Sequence, residues 1–471
     1  MSIQLFIVIA YVCVLFGISF YVKSKADKGS ADYLFASREL TTVLIGTNVA
    51  GLAIGAASTV GVAENAYKIG MAAGWYNAAW AAGALVMGVF AAGKFRALHA
   101  TTIPELFERF YDTKGRVISA VGLIIIMLVI TALQYLAGGA ILSALLPTIF
   151  SFKGGMVASA VVFIGITLIG GLWSSGISNV LNVVLIYLGV LYSAIESVDK
   201  VGGISGLLAK LPVNSDLLNP LSGLPFAVIL GWFVVMITQT ITAQGPVQIA
   251  CAAKNAKNAK HGFIFGAALI LPIGFICALI GIIAFVLYPD IKPTMALPTV
   301  IMGLNPFAAG ITLAAMWAAD VSTACTILLG AGTLFAQDIY KRFFAKNMSD
   351  QKYVHANRIT VLICGLLTLW LAFNAVGILR TMLIGLSLTT ALTVVFLFTV
   401  FAPQLCRKSS AFYTTLMGLL AIILWYFVPV VRIFPHVIYF EWMVCLITFF
   451  VITIVDKRGI ESPDFSQEEE A

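Results

Sequence analysis

Charge is what this sequence has least of. Only 10% of its 471 residues are Asp, Glu, Lys or Arg, while 61% are hydrophobic and the mean hydropathy is +1.01. A soluble globular chain carries about 25% charged residues. There is too little polar surface to cover a body of this length in water, which excludes a soluble enzyme built around a hydrophobic core. Such a hydrophobic composition also excludes a disordered chain. Cysteine is sparse too: seven residues, an odd number, none spaced as CxxC. Most lie in apolar runs and read as small buried hydrophobes, not as disulfides or metal ligands. Enzyme signatures are missing: there is no HExxH, no GxSxG, no Walker loop and no His or Cys cluster. The formal charge of +7 comes without a basic run interleaved with aromatics, so nucleic acid is not the expected partner.

What the sequence has in abundance is long apolar runs. A helix needs about 20 apolar residues to span roughly 30 Å of hydrocarbon. About 13 runs qualify, near 3–22, 41–63, 71–93, 117–146, 155–173, 177–197, 225–253, 262–288, 306–335, 357–376, 379–403, 410–431 and 436–455. The alternation of barrel strands is absent. The first run lacks a basic start and a small-residue cleavage site, and reads as a retained membrane helix. With the N-terminus outside, 21 of the 28 Lys and Arg residues fall in inside loops and 7 outside. This is the asymmetry expected of a multi-pass inner (plasma) membrane protein with a cytoplasmic C-terminus. The acidic end, FSQEEEA, is then cytoplasmic.

Two runs look broken. LIGTNVAGLAIGAAS carries Gly46, Gly51 and Gly55 with Thr47, Asn48 and Ser58, and FVVMITQTITAQGPVQ is interrupted by Gly245–Pro246. Proline removes a backbone donor, and backbone groups freed at membrane depth need protein, water or a ligand. The two broken runs are five helices apart and so run in opposite directions. Interrupted segments at matching places in two halves point to a secondary transporter with its site near the midplane. The expected organisation is a peripheral first helix and cytoplasmic loop (1–40), a first repeat (41–200), an extracellular loop with a second repeat (201–405), and two peripheral helices with the acidic tail (406–471). Candidate liners of the solute pocket are Asn48, Ser58, Thr59, Gln134, Tyr135, Gln239, Thr242 and Gln244. Among titratable residues only Asp320 is placed mid-span, in ITLAAMWAADVSTACTILL, beside Ser322, Thr323 and Thr326. A lone acid there is costly, which makes it a candidate cation or proton site. One such Asp is too few for an intramembrane aspartyl protease, which needs a pair.

Several stretches resemble the sodium:solute symporters, the family of bacterial proline and sialic acid transporters and animal glucose transporters. They are DYLFASREL (32–40), GTNVAGLAIGAAS with Gly70 and Trp75 beyond it, TTIPELFERFYDTKGR (101–116), PVQIACAAKNAKNAKHG (246–262) and AADVSTACTILLGAGTLFAQDIYKRF (318–343). The resemblance implies an all-α membrane protein with a leucine-transporter-like, five-plus-five inverted-repeat core working by alternating access. It implies a sodium site made by the carbonyls of Gly51, Ile54 and Ala319 and the hydroxyls of Ser322 and Thr323. Many members carry an Asp where this sequence has Asn179, and an apolar residue where it has Asp320. Asp320 is therefore expected to replace the missing charge. The implied partners are sodium, a small organic solute and the lipid bilayer, with no cofactor, and the implied working unit is a monomer. The alternatives are a proton-coupled symporter using Asp320 and a solute sensor with a symporter-like domain.

Overall fold

The computed structural model describes residues 3–98, 101–213, 215–373 and 386–461, and these are overwhelmingly helical. Among them, β pairing is limited to two isolated bridges, Leu40 with Ala253 and Arg407 with Gly459. The helices that matter here are α1 (Ile3–Ala26), α2 (Thr42–Ala53), α3 (Val62–Ile69), α4 (Trp75–Val86), α5 (Ile103–Phe110), α6 (Thr113–Leu145), α7 (Phe152–Lys200) and α8 (Phe226–Thr242). They continue with α9 (Gln244–Cys251), α10 (Ala256–Leu287), α11 (Pro306–Leu334), α12 (Asp350–Ala372), α13 (Thr390–Phe401), α14 (Ser410–Phe427) and α15 (Val437–Val455).

Local sequence explains where many of them start. Thr102, Asp112, Ser151, Asn255 and Asn305 each accept a hydrogen bond from the backbone N–H three residues on, opening α5, α6, α7, α10 and α11. Short oxygen-bearing side chains satisfy N–H groups that a helix start leaves without an acceptor. Pro306 follows its cap at the first helical position, where a missing N–H costs nothing.

Among the described residues nine helices are long and apolar enough to cross a membrane, or ten with the bent pair α8–α9. The tally falls below thirteen because some apolar runs join end to end. The helical stretch Ala57–Leu98 contains the end of one expected crossing and the whole of the next, divided at Gly70, which has φ +75. Helix α7 has 49 residues and a break at Gly171 (φ 51, ψ −138). Its two limbs meet the same end of α11: Trp317 donates to Ser159 and Ser193 donates to Thr312. In a straight helix Ser159 and Ser193 would be about 51 Å apart, against about 7.5 Å for Thr312 and Trp317. The chain therefore turns back at Gly171, and α7 is two crossings. A Cβ there would lie 2.3 Å from the Tyr33 carbonyl oxygen, so the position excludes any side chain. The eleventh expected run falls partly outside the described residues, as do Arg380 and the acidic tail.

Helix α11 is the axis of the molecule. Every residue from Thr312 to Leu334 is buried, packed mainly against α7 and α6, with α1, α2 and α12 around them. Helices α13, α14 and α15 form a side layer that reaches the centre through α6 and α8. The cysteines behave as the sequence suggested: all are free, and all but Cys13 are buried. One expectation about charge needs correcting. Asp320 is not the sole acid sequestered within a long apolar helix. Glu441 lies one turn inside α15, fully buried, with no hydrogen-bond partner for either oxygen.

Candidate functional site

The two broken helices meet beside α11: a Cβ at Gly245 of α9 would lie 3.2 Å from Leu52 of α2, and α2 and α9 both pack on α11. Helix α2 ends at Ala53, and Ile54 leaves the helical region at φ −88, ψ 73 before the chain resumes as a π turn at Ala57. The polar groups freed at this break are largely matched by side chains. Ser322 donates toward the Gly51 carbonyl (2.7 Å) and lies 2.8 Å from the Ala319 carbonyl. Thr323 sits 2.9 Å from the Gly51 carbonyl and 3.2 Å from that of Leu52. Ser58 donates to the Ala53 carbonyl, and the Ala56 N–H donates to Gln134 Oε1 (2.9 Å). All of these groups are buried.

The oxygen cluster has an imbalance. The Ser322 and Thr323 hydroxyls carry one proton each, yet they make four short contacts to the carbonyls of Gly51, Leu52 and Ala319. A proton satisfies one acceptor at a time, so the cluster holds surplus lone pairs. An all-oxygen, acceptor-rich pocket suits a hard cation. On the same helix Asp320 is fully buried and neither carboxylate oxygen has a partner. The proposed carbonyl donor Ile54 is buried at the break itself.

Asn179 lies against Gly51 so closely that a Cβ there would meet its Cγ at 2.8 Å. It belongs to a chain of amides that sequence reasoning missed. Tyr11 of α1 donates to Asn182 (2.8 Å), Asn182 to Asn179 (3.4 Å), Asn179 to Asn48 (3.0 Å), and Asn48 to the Leu44 carbonyl (2.7 Å). The available signal was NVLN, two amides three residues apart on one helical face.

The suggested solute-pocket residues separate. A narrow cavity lies at the α8–α9 break, bounded by Leu52, Trp80, Met127, Gln239, Ile327 and Leu386, with Gly245 and Pro246 at its edge. Of the eight candidates only Gln239 lines it. Asn48 sits in the amide chain, and Thr59 bonds back to the Gly55 carbonyl (3.0 Å). Ser58 and Gln134 satisfy the α2 break. Tyr135 turns to α12, donating to the Gly365 carbonyl (3.4 Å). Thr242 pairs with Thr393 (2.6 Å), and Gln244 donates to the Thr101 carbonyl (3.0 Å).

Two of the sequence stretches quoted above meet in one ionic network beside Thr101 and Thr102. Arg116 bridges Glu108 (2.5 Å) and the fully buried Asp338 (2.8 Å), and Arg342 pairs with Glu108 (2.7 Å). Thr102 donates to the same Asp338 oxygen (3.0 Å). Arg342 and then Arg116 hold the Glu108 carboxyl down at about 2. These contacts lock TTIPELFERFYDTKGR to QDIYKRF.

Comparison with known proteins fits this arrangement. The profile of the sodium:solute symporter family matches residues 33–418. The chain belongs to that family. Among its relatives, the sodium/glucose cotransporter of Vibrio parahaemolyticus is 26% identical over 391 residues, covering 75% of this chain and 71% of that one. The sodium/proline symporter of Escherichia coli K12 is 24% identical over 441 residues, covering 86% and 84%. A solved structure, the substrate-bound outward-open state of a Na+-coupled sialic acid symporter, superposes with a TM-score of 0.85 at 18% identity, covering 98% of this chain and all of that one. This likeness establishes the leucine-transporter-like fold. The family's members are transporters, not enzymes.

Proposed function

We propose that this symporter couples the inward movement of sodium to uptake of a small organic solute, by alternating access between its two repeats (41–200 and 201–405). It works as a monomer in the inner membrane, N-terminus outside and C-terminus cytoplasmic. The observation that carries the reading is the buried cluster of Gly51, Ala319, Ser322 and Thr323 oxygens, in which acceptors outnumber protons. Sodium takes this cluster with Ile54 as a further carbonyl donor. Asp320 supplies, from α11, the negative charge that Asn179 does not carry. The relatives' names, sodium/glucose and sodium/proline, support the coupling ion and leave the solute open.

The test is uptake into proteoliposomes of the purified chain under imposed sodium or proton gradients. Sodium-driven accumulation is expected, and combined Ser322→Ala and Thr323→Ala substitution abolishes its sodium requirement and most of the uptake. Accumulation with a proton gradient alone would overturn the sodium assignment in favour of proton coupling.

A further inference from the structure

The segment joining α11 to α12 carries more positive charge than the fold itself uses. Five Lys and Arg residues lie between 341 and 358, against one acid, Asp350. Three of the five are engaged by the protein. Arg342 pairs with Glu108 (2.7 Å), Arg358 pairs with Asp27 (2.5 Å), and the Lys341 ammonium lies 4.7 Å from the centre of the Tyr353 ring. Asp350 is taken by Ser30, whose backbone N–H and hydroxyl donate to its two oxygens at 3.3 and 3.1 Å. Lys346 and Lys352 remain. Both are exposed, and among the described residues neither pairs with a carboxylate.

These two lysines border an open groove of about 1050 Å³, with Phe343, Phe344, His355 and Ile359. A water takes roughly 30 Å³, so the groove admits a group many times that size. Its wall has two characters. Lys346, Lys352 and His355 bring N–H donors, and no carboxylate lines it; Phe343, Phe344 and Ile359 are exposed hydrophobes. The change of character continues along one face of α12. Lys352 and His355 open that face, and Ile359, Leu362, Ile363, Leu366 and Trp370 follow at three- and four-residue spacing. Those five are each 41–63% exposed. At 1.5 Å per residue, Ile359 to Trp370 spans about 16 Å, the depth of one leaflet's hydrocarbon. The face is therefore basic at one end and apolar for the length of an acyl chain beyond it.

We infer that this groove binds an acidic phospholipid of the surrounding bilayer, in the cytoplasmic leaflet under the orientation proposed above. The headgroup phosphate accepts from the ammonium groups of Lys346 and Lys352 and from the His355 imidazole. The acyl chains run down α12 along Ile359, Leu362 and Leu366, with Phe343 and Phe344 beside the glycerol. A basic pocket at the membrane surface favours an anionic headgroup over a zwitterionic one, whose own cation opposes the lysines. A soluble phosphate is disfavoured, because it would leave the apolar half of the groove facing water. The site does not depend on which ion or solute is carried.

The experiment reads lipid contact at the groove. The full chain and its Phe343→Trp variant are placed in nanodiscs where brominated phosphatidylglycerol or brominated phosphatidylcholine replaces rising fractions of unbrominated phosphatidylcholine. Bromine quenches tryptophan on contact, and the difference between the two chains separates the groove from the eight native tryptophans. Phosphatidylglycerol is expected to reach half-maximal quenching at a mole fraction about tenfold lower than phosphatidylcholine, in line with two lysines facing an anionic headgroup. Adding Lys346→Gln with Lys352→Gln should bring the two lipids within about twofold. Adding Lys114→Gln with Lys457→Gln instead removes the same charge from exposed positions outside the groove and should keep the preference. Equal mole fractions for the two lipids in the Phe343→Trp chain overturn the inference. So does an equal loss in both double variants, which would reduce the effect to general surface charge. Millimolar glycerol phosphate that reverses the quenching would make the occupant a free phosphate, and overturns it as well. Should Phe343→Trp fail to fold, the unmodified chain purified from an equal mixture of the two lipids should retain phosphatidylglycerol in excess, and retention without preference overturns the inference.

Discussion

At the scale of single residues, burial in a membrane makes each ionisable group a separate question. Asp320 was legible from sequence because it interrupts an otherwise apolar helix, and the structure leaves its carboxylate without a partner. Glu441 was not legible: one turn into α15 it reads as an end residue, and only the packing of α13 and α14 around it closes it off. Asn179 shows the reverse limit, since its amide chain joins α1 and α2 through α7, more than 130 positions away from either. If Asp320 supplies charge to the cation cluster, Asp320→Asn keeps the shape and removes the charge. The sodium concentration for half-maximal uptake should then rise about tenfold or more, in line with roughly 1.5–3 kcal/mol for one charge-assisted contact. Unchanged uptake with unchanged sodium dependence would leave Asp320 no part in coupling.

At the scale of elements, both broken helices could be read from Gly, Pro and hydroxyl residues, because each acts on the backbone within its own turn. What the breaks do could not be read this way. The α2 break is closed by Ser322 and Thr323, some 270 positions away, and that long-range partnership separates it from the break at Ala243. The two crossings within α7 were legible as separate apolar runs, 155–173 and 177–197; only the place of the reversal, at Gly171, needed the contacts with α11. Helix α15 offers a local test. His436 caps it, its Nδ1 accepting from the Ile438 N–H at 3.2 Å, and burial lowers its pKa to about 4 from 6.5. Protonation would remove the acceptor. Between pH 6.5 and 4 the unfolded chain binds more protons than the folded one, so stability falls as pH falls through that window. His436→Asn keeps a capping side chain that does not titrate. Its thermal midpoint should lose this part of the pH dependence, and an unaltered slope between pH 4 and 6.5 would show that His436 does not contribute to it.

At the scale of the molecule, one end of the bundle, the cytoplasmic one under the proposed orientation, is tied shut. Leu40 and Lys254 exchange backbone bonds with the segment opposite, Leu40 N–H to the Ala252 carbonyl (3.1 Å) and Lys254 N–H to the Leu40 carbonyl (3.0 Å). Gln248 donates to the Leu34 carbonyl (2.7 Å), and Arg96 donates to the carbonyls of Ala253 (2.7 Å) and Lys254 (3.3 Å). Beneath this seam Cys251 is fully buried, next to the Phe95 carbonyl. Under the alternating access proposed above the seam must part during the cycle, and its bonds would then set how often this side opens. Arg96→Ala removes two charge-assisted bonds, worth roughly 1.5–3 kcal/mol each at most, and biases the equilibrium toward opening. In a variant whose sole cysteine is Cys251, a membrane-permeant maleimide should label the Arg96→Ala protein at least about fivefold faster than its parent, a shift of roughly 1 kcal/mol. High sodium should slow labelling of both if the cation cluster favours the outward-facing form. Equal labelling rates with and without Arg96 would mean that the guanidinium bonds do not hold the cytoplasmic side closed, and the backbone exchange at Leu40 would then be the contact to cut.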